Sequence, residues 1–316
     1  LARAKALLQS GDVQRVLGWQ TGEFVYDVTP AAFETAEELD AKFVYNDFCG
    51  SNLSKYLVKE SRKEGRVLVF LKPCDTYSFN QLIKEHRIAR ESIYVIGVPC
   101  AGKTDGETLK ALGLKGILGV KDAGDSFTVE TLYGEKTVSK QEALPERCRS
   151  CKSHKHMVYD ELLGEEGEVL DSHRFDMVEK IESMSADERF AFWQGELSRC
   201  IRCNACRNVC PACTCEKCVF DNENSGIAQK AAADSFEESM LHIIRAFHVA
   251  GRCTDCGECS RVCPQNIPLH LLNRKFIKDI NTFYGAYQAG EDTESRAPLT
   301  NYTKGDAEPS IVYHKG

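Results

Sequence analysis

The stretch that decides the fold is CTDCGECSRVCPQNIP, residues 253–268, in which three cysteines at intervals of three are followed by a fourth cysteine and a proline. The same order of cysteines occurs earlier as CIRCNACRNVCP, residues 200–211. A tight loop with this spacing can place three thiolates around three corners of one iron–sulfur cube, and the fourth cysteine lies too far along to close that cube comfortably. The repeat therefore predicts two [4Fe-4S] clusters.

The fourth cysteine of each run is expected to bind the cluster of the other run, as in bacterial two-cluster ferredoxins. Each predicted ligand set thus contains one crossed cysteine. Cluster 1 is assigned Cys200, Cys203, Cys206 and Cys263, and cluster 2 is assigned Cys253, Cys256, Cys259 and Cys210. Structural zinc is the alternative, but it favours two Cys-x-x-Cys pairs and would leave the third and fourth cysteines of each run unused.

The cysteine content separates two classes of protein. Sixteen cysteines in 316 residues could belong to a disulfide scaffold or to a metal protein, and both the length and the Cys-x-x-Cys clustering favour metal ligation. The start shows no signal-peptide pattern, and the longest apolar run, residues 67–71, is far below the ~20 residues that span a bilayer. A net charge of −7 argues against a nucleic-acid partner. We expect a protein of an anaerobic, reducing cytoplasm with no direct membrane span.

The amino-terminal part reads as an α/β domain. Two apolar, β-branched runs suit buried strands, and helical stretches lie before and between them. The predicted strands are residues 67–71 and 93–98, with further candidates at 115–120 and 126–133, and the predicted helices are 52–64 and 77–87. Strand–helix–strand order predicts a small parallel sheet. The fold class is therefore an α/β domain with a small parallel sheet, followed by an α-helical dicluster ferredoxin domain.

The domain boundary is predicted at a helix start. Ser185 and Glu188 form a capping box, which opens a helix toward residue 198. We predict an α/β domain at 1–184, a ferredoxin domain at 185–282 and an extended tail at 283–316 that wraps a partner. Within the ferredoxin domain, helices are expected over residues 227–250 and 269–280.

A third cluster is predicted in the α/β domain. Cys74 follows the first apolar strand and Cys100 follows the second. Parallel strands end at the same edge of a sheet, so their cysteines should gather there. Cys148 and Cys151 could close the site from a loop, which would complete four thiolates for a [4Fe-4S] cluster.

Both halves of the chain resemble known families. The run–helices–run order and the stretch 253–268 resemble the α-helical ferredoxin domain of succinate dehydrogenase and heterodisulfide reductase subunits. The Cys-Pro-x-Cys-x-Cys ending at 210–215 is similar to dicluster subunits of anaerobic sulfite reductase and archaeal sulfhydrogenase. Pro73-Cys74, Cys100 and the Cys148–Cys151 pair resemble the β subunit of coenzyme F420-reducing hydrogenase and its formate dehydrogenase relatives.

These resemblances imply an electron relay in a multi-subunit anaerobic oxidoreductase. The implied partners are the other subunits of a hydrogenase, formate dehydrogenase or heterodisulfide-reductase-like complex, with ferredoxin as a further candidate. The resemblance to the hydrogenase β subunit also implies FAD as a candidate cofactor. The alternative function is therefore a flavin-containing reductase subunit that exchanges hydride with F420 or NAD(P). No catalytic residue is assigned.

A second motif competes with these interpretations. Residues 97–104, GVPCAGKT, fit the phosphate-loop pattern Gly-x-x-x-x-Gly-Lys-Thr and follow a predicted strand. Gly102, Lys103 and Thr104 are thus candidate ligands of a flavin or nucleotide phosphate, and an iron–sulfur ATPase is a further alternative. A true phosphate loop must enter a helix at the lysine, and the Asp105-Gly106 that follows is a poor helix start.

Some residues stay without an assigned role. Cys213, Cys215 and Cys218 follow the first run. They could hold a further metal with Cys49 or an external ligand, a fourth [4Fe-4S] cluster included, or could pack as buried thiols. His154 and His156 lie close to Cys151 and are expected to be solvated loop histidines.

Overall fold

The computed structural model describes residues 1–170, 173–222 and 235–300. The strands are β1 Arg15–Thr21, β2 Val28–Phe33, β3 Val67–Leu71, β4 Ile93–Gly97, β5 Ile117–Asp122, β6 Ser126–Thr131, β7 Gly134–Ser139 and β8 Glu161–Leu162. The helices before the dicluster region are α1 Ala2–Ser10, α2 Ala36–Lys42, α3 Ser54–Glu60, α4 Pro73–Lys84, α5 Gly106–Ala111, α6 Lys140–Ala143 and α7 Glu146–Arg149. The helices that follow are α8 Asp176–Glu182, α9 Ala186–Leu197, α10 Ala205–Asn208, α11 Ser235–Val249, α12 Glu258–Arg261 and α13 Leu269–Tyr284.

The main sheet is mixed, with strand order β2-β1-β3-β4-β8. Strands β1, β3, β4 and β8 are parallel, as the sequence predicts for β3 and β4, whereas β2 pairs with β1 in the antiparallel direction. All five residues of β3 are buried, which is typical of a central parallel strand covered on both faces. Strand β2 contains Pro30 and lies at the edge of the sheet, where a missing amide donor is tolerated.

The strands predicted after residue 115 belong to a second sheet. Strands β5, β6 and β7 form an antiparallel meander with a small core of its own around Phe127 and Val129. The expectation of one small parallel sheet is therefore corrected to a mixed sheet with a separate antiparallel one. Short hairpin connections allow antiparallel pairing, whereas parallel pairing would need a long crossover.

The predicted helices of the carboxy-terminal region are confirmed where the structure describes them. Ser185 caps α9 and accepts a hydrogen bond from the Glu188 amide, and the Glu188 carboxylate accepts from the Ser185 amide. Helix α11 covers Ser235–Val249 and α13 covers Leu269–Tyr284. Residues 227–234 of the predicted connector helix lie outside the described residues.

The α/β region and the dicluster region pack tightly against each other. Arg252 forms an ion pair with Glu85 at 2.5 Å, and Arg274 pairs with Glu146 at 2.7 Å. Ser78 and Thr254 share a buried hydroxyl hydrogen bond of 2.8 Å. Because these contacts join residues more than 120 positions apart, they place the cysteines of both regions side by side.

The first part of the predicted tail packs on the chain itself. Gly290 adopts a left-handed φ of 76°, and a Cβ there would meet the Tyr77 carbonyl oxygen of α4. The Tyr287 hydroxyl donates to the Gly251 carbonyl at 3.1 Å, and Ala289 and Ala297 are buried. Residues 301–316 lie outside the described part. None of the described helices is long and apolar enough to cross a membrane.

Candidate iron–sulfur centres

Four cysteines of the α/β region line one cavity. They are the predicted ligands of the third cluster, Cys74, Cys100, Cys148 and Cys151. The register of the sheet explains the first two, because Leu71 of β3 pairs with Gly97 of β4 and each cysteine lies three residues beyond. Pro73 is the first residue of α4, where a helix needs no amide hydrogen. The helix therefore begins just after β3 and places Cys74 at the end of that strand.

The surroundings of this cavity suit an anionic metal centre. Burial raises the pKa of Cys100 to about 11, and burial also raises the pKa of Cys74 and Cys151. Free thiols at these positions are thus protonated at neutral pH, and iron would have to displace their protons. Arg147 and Lys152 line the same cavity and supply positive charge for thiolates.

The two cysteine runs repeat in backbone geometry as well as in sequence. The residues on both sides of the middle cysteine are left-handed in each run. In the first run these are Arg202 and Asn204, with φ of 51° and 61°, and in the second they are Asp255 and Gly257, with φ of 59° and 69°. Alternation of left- and right-handed residues makes a concave nest of amides, a common cradle for iron–sulfur centres. Three of these four residues are not glycine, and the left-handed conformation costs each of them about 1–3 kcal/mol. Its occurrence at matching positions of both runs fits a shared binding role.

The structure brings the predicted ligands of cluster 1 together. Cys200, Cys203 and Cys206 of the first run line one cavity with Cys263 of the second run. The Cys200 sulfur accepts a hydrogen bond from the Arg202 amide at 3.4 Å. Apolar residues of the connector and of α13, among them Leu241 and Leu269, close the cavity.

The predicted ligands of cluster 2 also lie together. Burial raises the pKa of Cys253 to about 12, and the neighbouring charges of Asp255 and Cys210 add to it. Burial raises the pKa of Cys256 as well, with further contributions from Glu258 and Cys210. The thiol of Cys210 therefore lies among the cysteines of the second run, where the crossed assignment expects it.

The three cysteine groups adjoin one another. Cys256, a predicted ligand of cluster 2, lines the cavity of the α/β region. Burial raises the pKa of Cys259 to about 11, and among its charged neighbours are Arg245, Cys210 and Cys206, which places cluster 2 next to cluster 1. The three groups of cysteines thus follow each other from the sheet edge, through the second run, to the first run.

Sequence reasoning missed the ionic contacts that hold these groups in place. Glu258 is fully buried, and its carboxylate accepts from Arg147 at 3.0 Å and from Arg261 at 2.7 Å and 2.9 Å. The Asn52 amide donates to it at 3.1 Å. Arg147 also donates to the Cys256 carbonyl at 3.2 Å. In the sequence, these contacts are indicated only by the positions of Arg147 and Glu258, which lie next to or between cysteines of the motifs.

The expectation that His156 is a solvated loop residue is wrong. Its side chain is 3% exposed, and Nε2 lies 3.2 Å from the Leu71 carbonyl and 3.1 Å from the Val98 carbonyl. It therefore ties the ends of β3 and β4 together beside the cysteine cavity. His154 is half-buried and lines that cavity.

The phosphate-loop candidates are engaged with the chain itself. Lys103 donates to the Asn46 carbonyl at 3.0 Å, and its amine lies 4.2 Å from the centre of the Tyr45 ring. The Thr104 hydroxyl donates to the Ala143 carbonyl at 2.7 Å. No helix starts at Lys103, since α5 begins at Gly106. Gly102 lines the cysteine cavity, so this loop geometry gives a nucleotide or flavin phosphate no support.

The remaining cysteines occupy two different places. Cys49 is fully buried in the apolar core of the main sheet. Cys213, Cys215 and Cys218 line a separate cavity next to α11. All sixteen cysteines belong to the described residues and are free thiols. Within the described ranges, no three Cys, His, Asp or Glu side chains are placed to hold a single metal ion.

Comparison with known proteins agrees with both halves of the structure. Residues 196–267 match the family described as 4Fe-4S dicluster domain. The F420-dependent formate dehydrogenase subunit beta of Methanocaldococcus jannaschii is 25% identical, over 94% of this chain and 92% of that protein. The F420-dependent formate dehydrogenase 1 subunit beta of Methanococcus maripaludis is 23% identical, over 93% of this chain and 91% of that protein.

A solved structure of the F420-reducing [NiFe] hydrogenase complex from Methanosarcina barkeri, derivatized with xenon, gives a TM-score of 0.40 at 11% identity, over 63% of this chain and 85% of that chain. The near full-length matches confirm the resemblance read from Pro73-Cys74, Cys100 and the Cys148–Cys151 pair. This chain is a homologue of the β subunits of F420-dependent formate dehydrogenases, and it carries a 4Fe-4S dicluster domain in its carboxy-terminal half.

Proposed function

We propose that this chain relays electrons through three [4Fe-4S] clusters within an anaerobic multi-subunit oxidoreductase of the formate dehydrogenase or hydrogenase type. It is an iron–sulfur electron-transfer subunit of an oxidoreductase complex. The relatives are named as β subunits, which supports partner subunits here, one that delivers electrons and one that accepts them. A reducing, anaerobic cytoplasm is part of the proposal and agrees with the sixteen free thiols.

The observation that carries the proposal is the position of Cys256. It belongs to the second run, yet it lines the cavity formed by Cys74, Cys100, Cys148 and Cys151. A [4Fe-4S] cluster in each cysteine group would supply one-electron transfer. The protein's own part is to hold the three groups adjacent, to bury their thiols and to place positive side chains such as Arg147 beside them.

The ligand sets proposed from the sequence are kept unchanged. Cluster 1 takes Cys200, Cys203, Cys206 and Cys263, cluster 2 takes Cys253, Cys256, Cys259 and Cys210, and cluster 3 takes Cys74, Cys100, Cys148 and Cys151. The domains are proposed at 1–184, 185–282 and 283–316, and the capping of α9 by Ser185 supports the first of these boundaries. Contacts across the first boundary make the two regions one electron-transfer unit.

Iron and acid-labile sulfide analysis of anaerobically purified full-length variants tests the proposal. Alanine pairs in each ligand set, Cys74/Cys100, Cys203/Cys206 and Cys256/Cys259, should each lower the content by about four irons relative to wild type. Cys49→Ala, a core thiol outside all three sets, serves as the control. Unchanged iron in the Cys74/Cys100 variant would remove cluster 3. Flavin analysis on the same preparations tests the alternative of a reductase that exchanges hydride with F420 or NAD(P).

A further inference from the structure

The motif after the first run forms a cysteine cavity of its own. Cys213, Cys215 and Cys218 all line it, together with α11 and with Lys55 of α3. This cavity shares no cysteine with the cavity of the α/β region or with that of cluster 1. Three thiols that converge on one space from a six-residue segment resemble a ligand set more than three independent packing residues.

The surroundings do not suit buried structural thiols. A structural cysteine usually packs as a small apolar residue, but Cys215 is exposed, and Cys213 and Cys218 are half-buried. The wall instead carries the cationic side chains Lys55, Arg207, Arg245 and Arg252. Arg207 pairs with Asp221 at 2.8 Å and Arg252 pairs with Glu85 at 2.5 Å. No ion pair among the described residues involves Lys55 or Arg245, and these two positive charges favour an anionic occupant.

Two of the cations fix the cysteine loop by its backbone. Lys55 donates to the Cys213 carbonyl, and Arg252 donates to the Ala212 carbonyl at 2.9 Å. The loop is thus held in place from α3 on one side and from the end of α11 on the other. A preformed loop lowers the entropic cost of binding.

Arg245 adds a buried positive charge to this wall. Its side chain lines this cavity and is 4% exposed. One terminal nitrogen donates to the Cys206 carbonyl at 3.2 Å, the guanidinium also hydrogen-bonds to the Cys259 side chain, and Nε has no hydrogen-bond partner. Its charged neighbours are Cys210, Cys259, Cys206 and Cys213, so its positive charge faces this motif as well as the two cysteine runs.

We propose that Cys213, Cys215 and Cys218 bind a further [4Fe-4S] cluster through three thiolates, beside cluster 2. The arrangement suits a cube and not a lone zinc ion, which needs its ligands within about 2.3 Å of one point, whereas the three thiols surround a cavity without meeting at a single-ion site. The Cys213 side chain lies next to that of Cys210, which places the new site beside cluster 2, and cluster binding would replace the hydrogen bond between them. The position of the new site beside cluster 2 rests on the proposed function, whereas the site itself does not.

The test compares the metal content of anaerobically purified full-length proteins. The triple variant Cys213→Ala/Cys215→Ala/Cys218→Ala should lose about four irons and four sulfides relative to wild type, and Cys49→Ala should lose none. One component of the EPR spectrum of the reduced protein should disappear with them. Equal iron in the triple variant and wild type, or loss of about one zinc instead, would overturn the proposal.

A single variant covers the case in which the triple variant fails to fold. Cys215 is exposed, so Cys215→Ala should fold as wild type by circular dichroism while it loses the same irons or the same EPR component. Retention of both would refute the site. The variants of the three ligand sets above test the proposed function, and they can lose iron whether or not Cys213, Cys215 and Cys218 bind a cluster. Failure of the new site and failure of the proposed function can therefore be told apart.

Discussion

Glu258 is the residue whose replacement tests the packing of the two regions most directly. Its carboxylate is fully buried and joins Arg261 of its own helix to Arg147 and the Asn52 amide of the α/β region. Glu258→Gln keeps the shape but removes the charge, so two buried guanidinium groups lose their shared counter-ion. Breaking a buried ion pair from one side costs about 3–5 kcal/mol.

The expected effect can be converted into a measurable shift. With a urea m value of about 2–3 kcal/mol/M, a loss of about 4 kcal/mol lowers the unfolding midpoint by about 1–2 M. Trp19 in β1 and Trp193 in α9 report on the two regions separately, and single-tryptophan versions of wild type and variant would give both midpoints under anaerobic conditions. Iron content must be measured in parallel, because Glu258 lies between Cys256 and Cys259.

The control is an exposed ion pair. Glu107 and Lys110 are 2.8 Å apart with side chains 68% and 54% exposed, and pairs of this kind contribute little. Glu107→Gln should therefore leave both midpoints unchanged. If Glu258→Gln with full iron content also left them unchanged, the argument that this carboxylate holds the two regions together would be refuted.

Three further predictions concern Arg245, Lys103 and the removal of iron. Arg245→Gln should lower the midpoint potentials of the neighbouring clusters by tens of millivolts, and a shift of about 59 mV is a tenfold change in the equilibrium constant of a one-electron reduction. Arg245→Lys should retain most of the wild-type potential in an EPR-monitored titration. Equal shifts in both variants would argue against a charge effect. ATP should not raise the melting temperature of wild type or of Lys103→Ala; a rise in wild type that Lys103→Ala abolishes would restore the nucleotide hypothesis. Removal of iron by a chelator should change the fluorescence of Trp193 before that of Trp19, since the short helices of the dicluster region depend on their metal; simultaneous changes would contradict this order.

Local features of the structure were predictable because they depend on neighbouring residues. The capping box at Ser185, the apolar strand β3 and the repeated cysteine spacing each act within a few positions. The repeat even extends to the left-handed residues beside Cys203 and Cys256. Helix capping and loop closure depend on contacts within a few residues, and a continuous apolar run indicates a buried strand by its composition.

Other parts of the sheet escaped prediction for identifiable reasons. Strand β1 is interrupted by Gly18, and β2 contains Pro30, so neither shows a continuous apolar run. Strand β8 has two residues and exists through its pairing with β4. In each case the tertiary contact, and not the intrinsic preference of the segment, makes the strand.

The sequence by itself determined which cysteines group into runs, and it predicted that each run would need a cysteine from the other. Only the tertiary structure decided that Cys256 lines the cavity of the α/β region and that Glu258 and Arg147 meet. It also decided that Arg245 is buried among the cysteines of both runs. The physical reason is distance along the chain: these contacts join segments that are dozens to more than a hundred residues apart, and no local periodicity records which buried charge will find which partner.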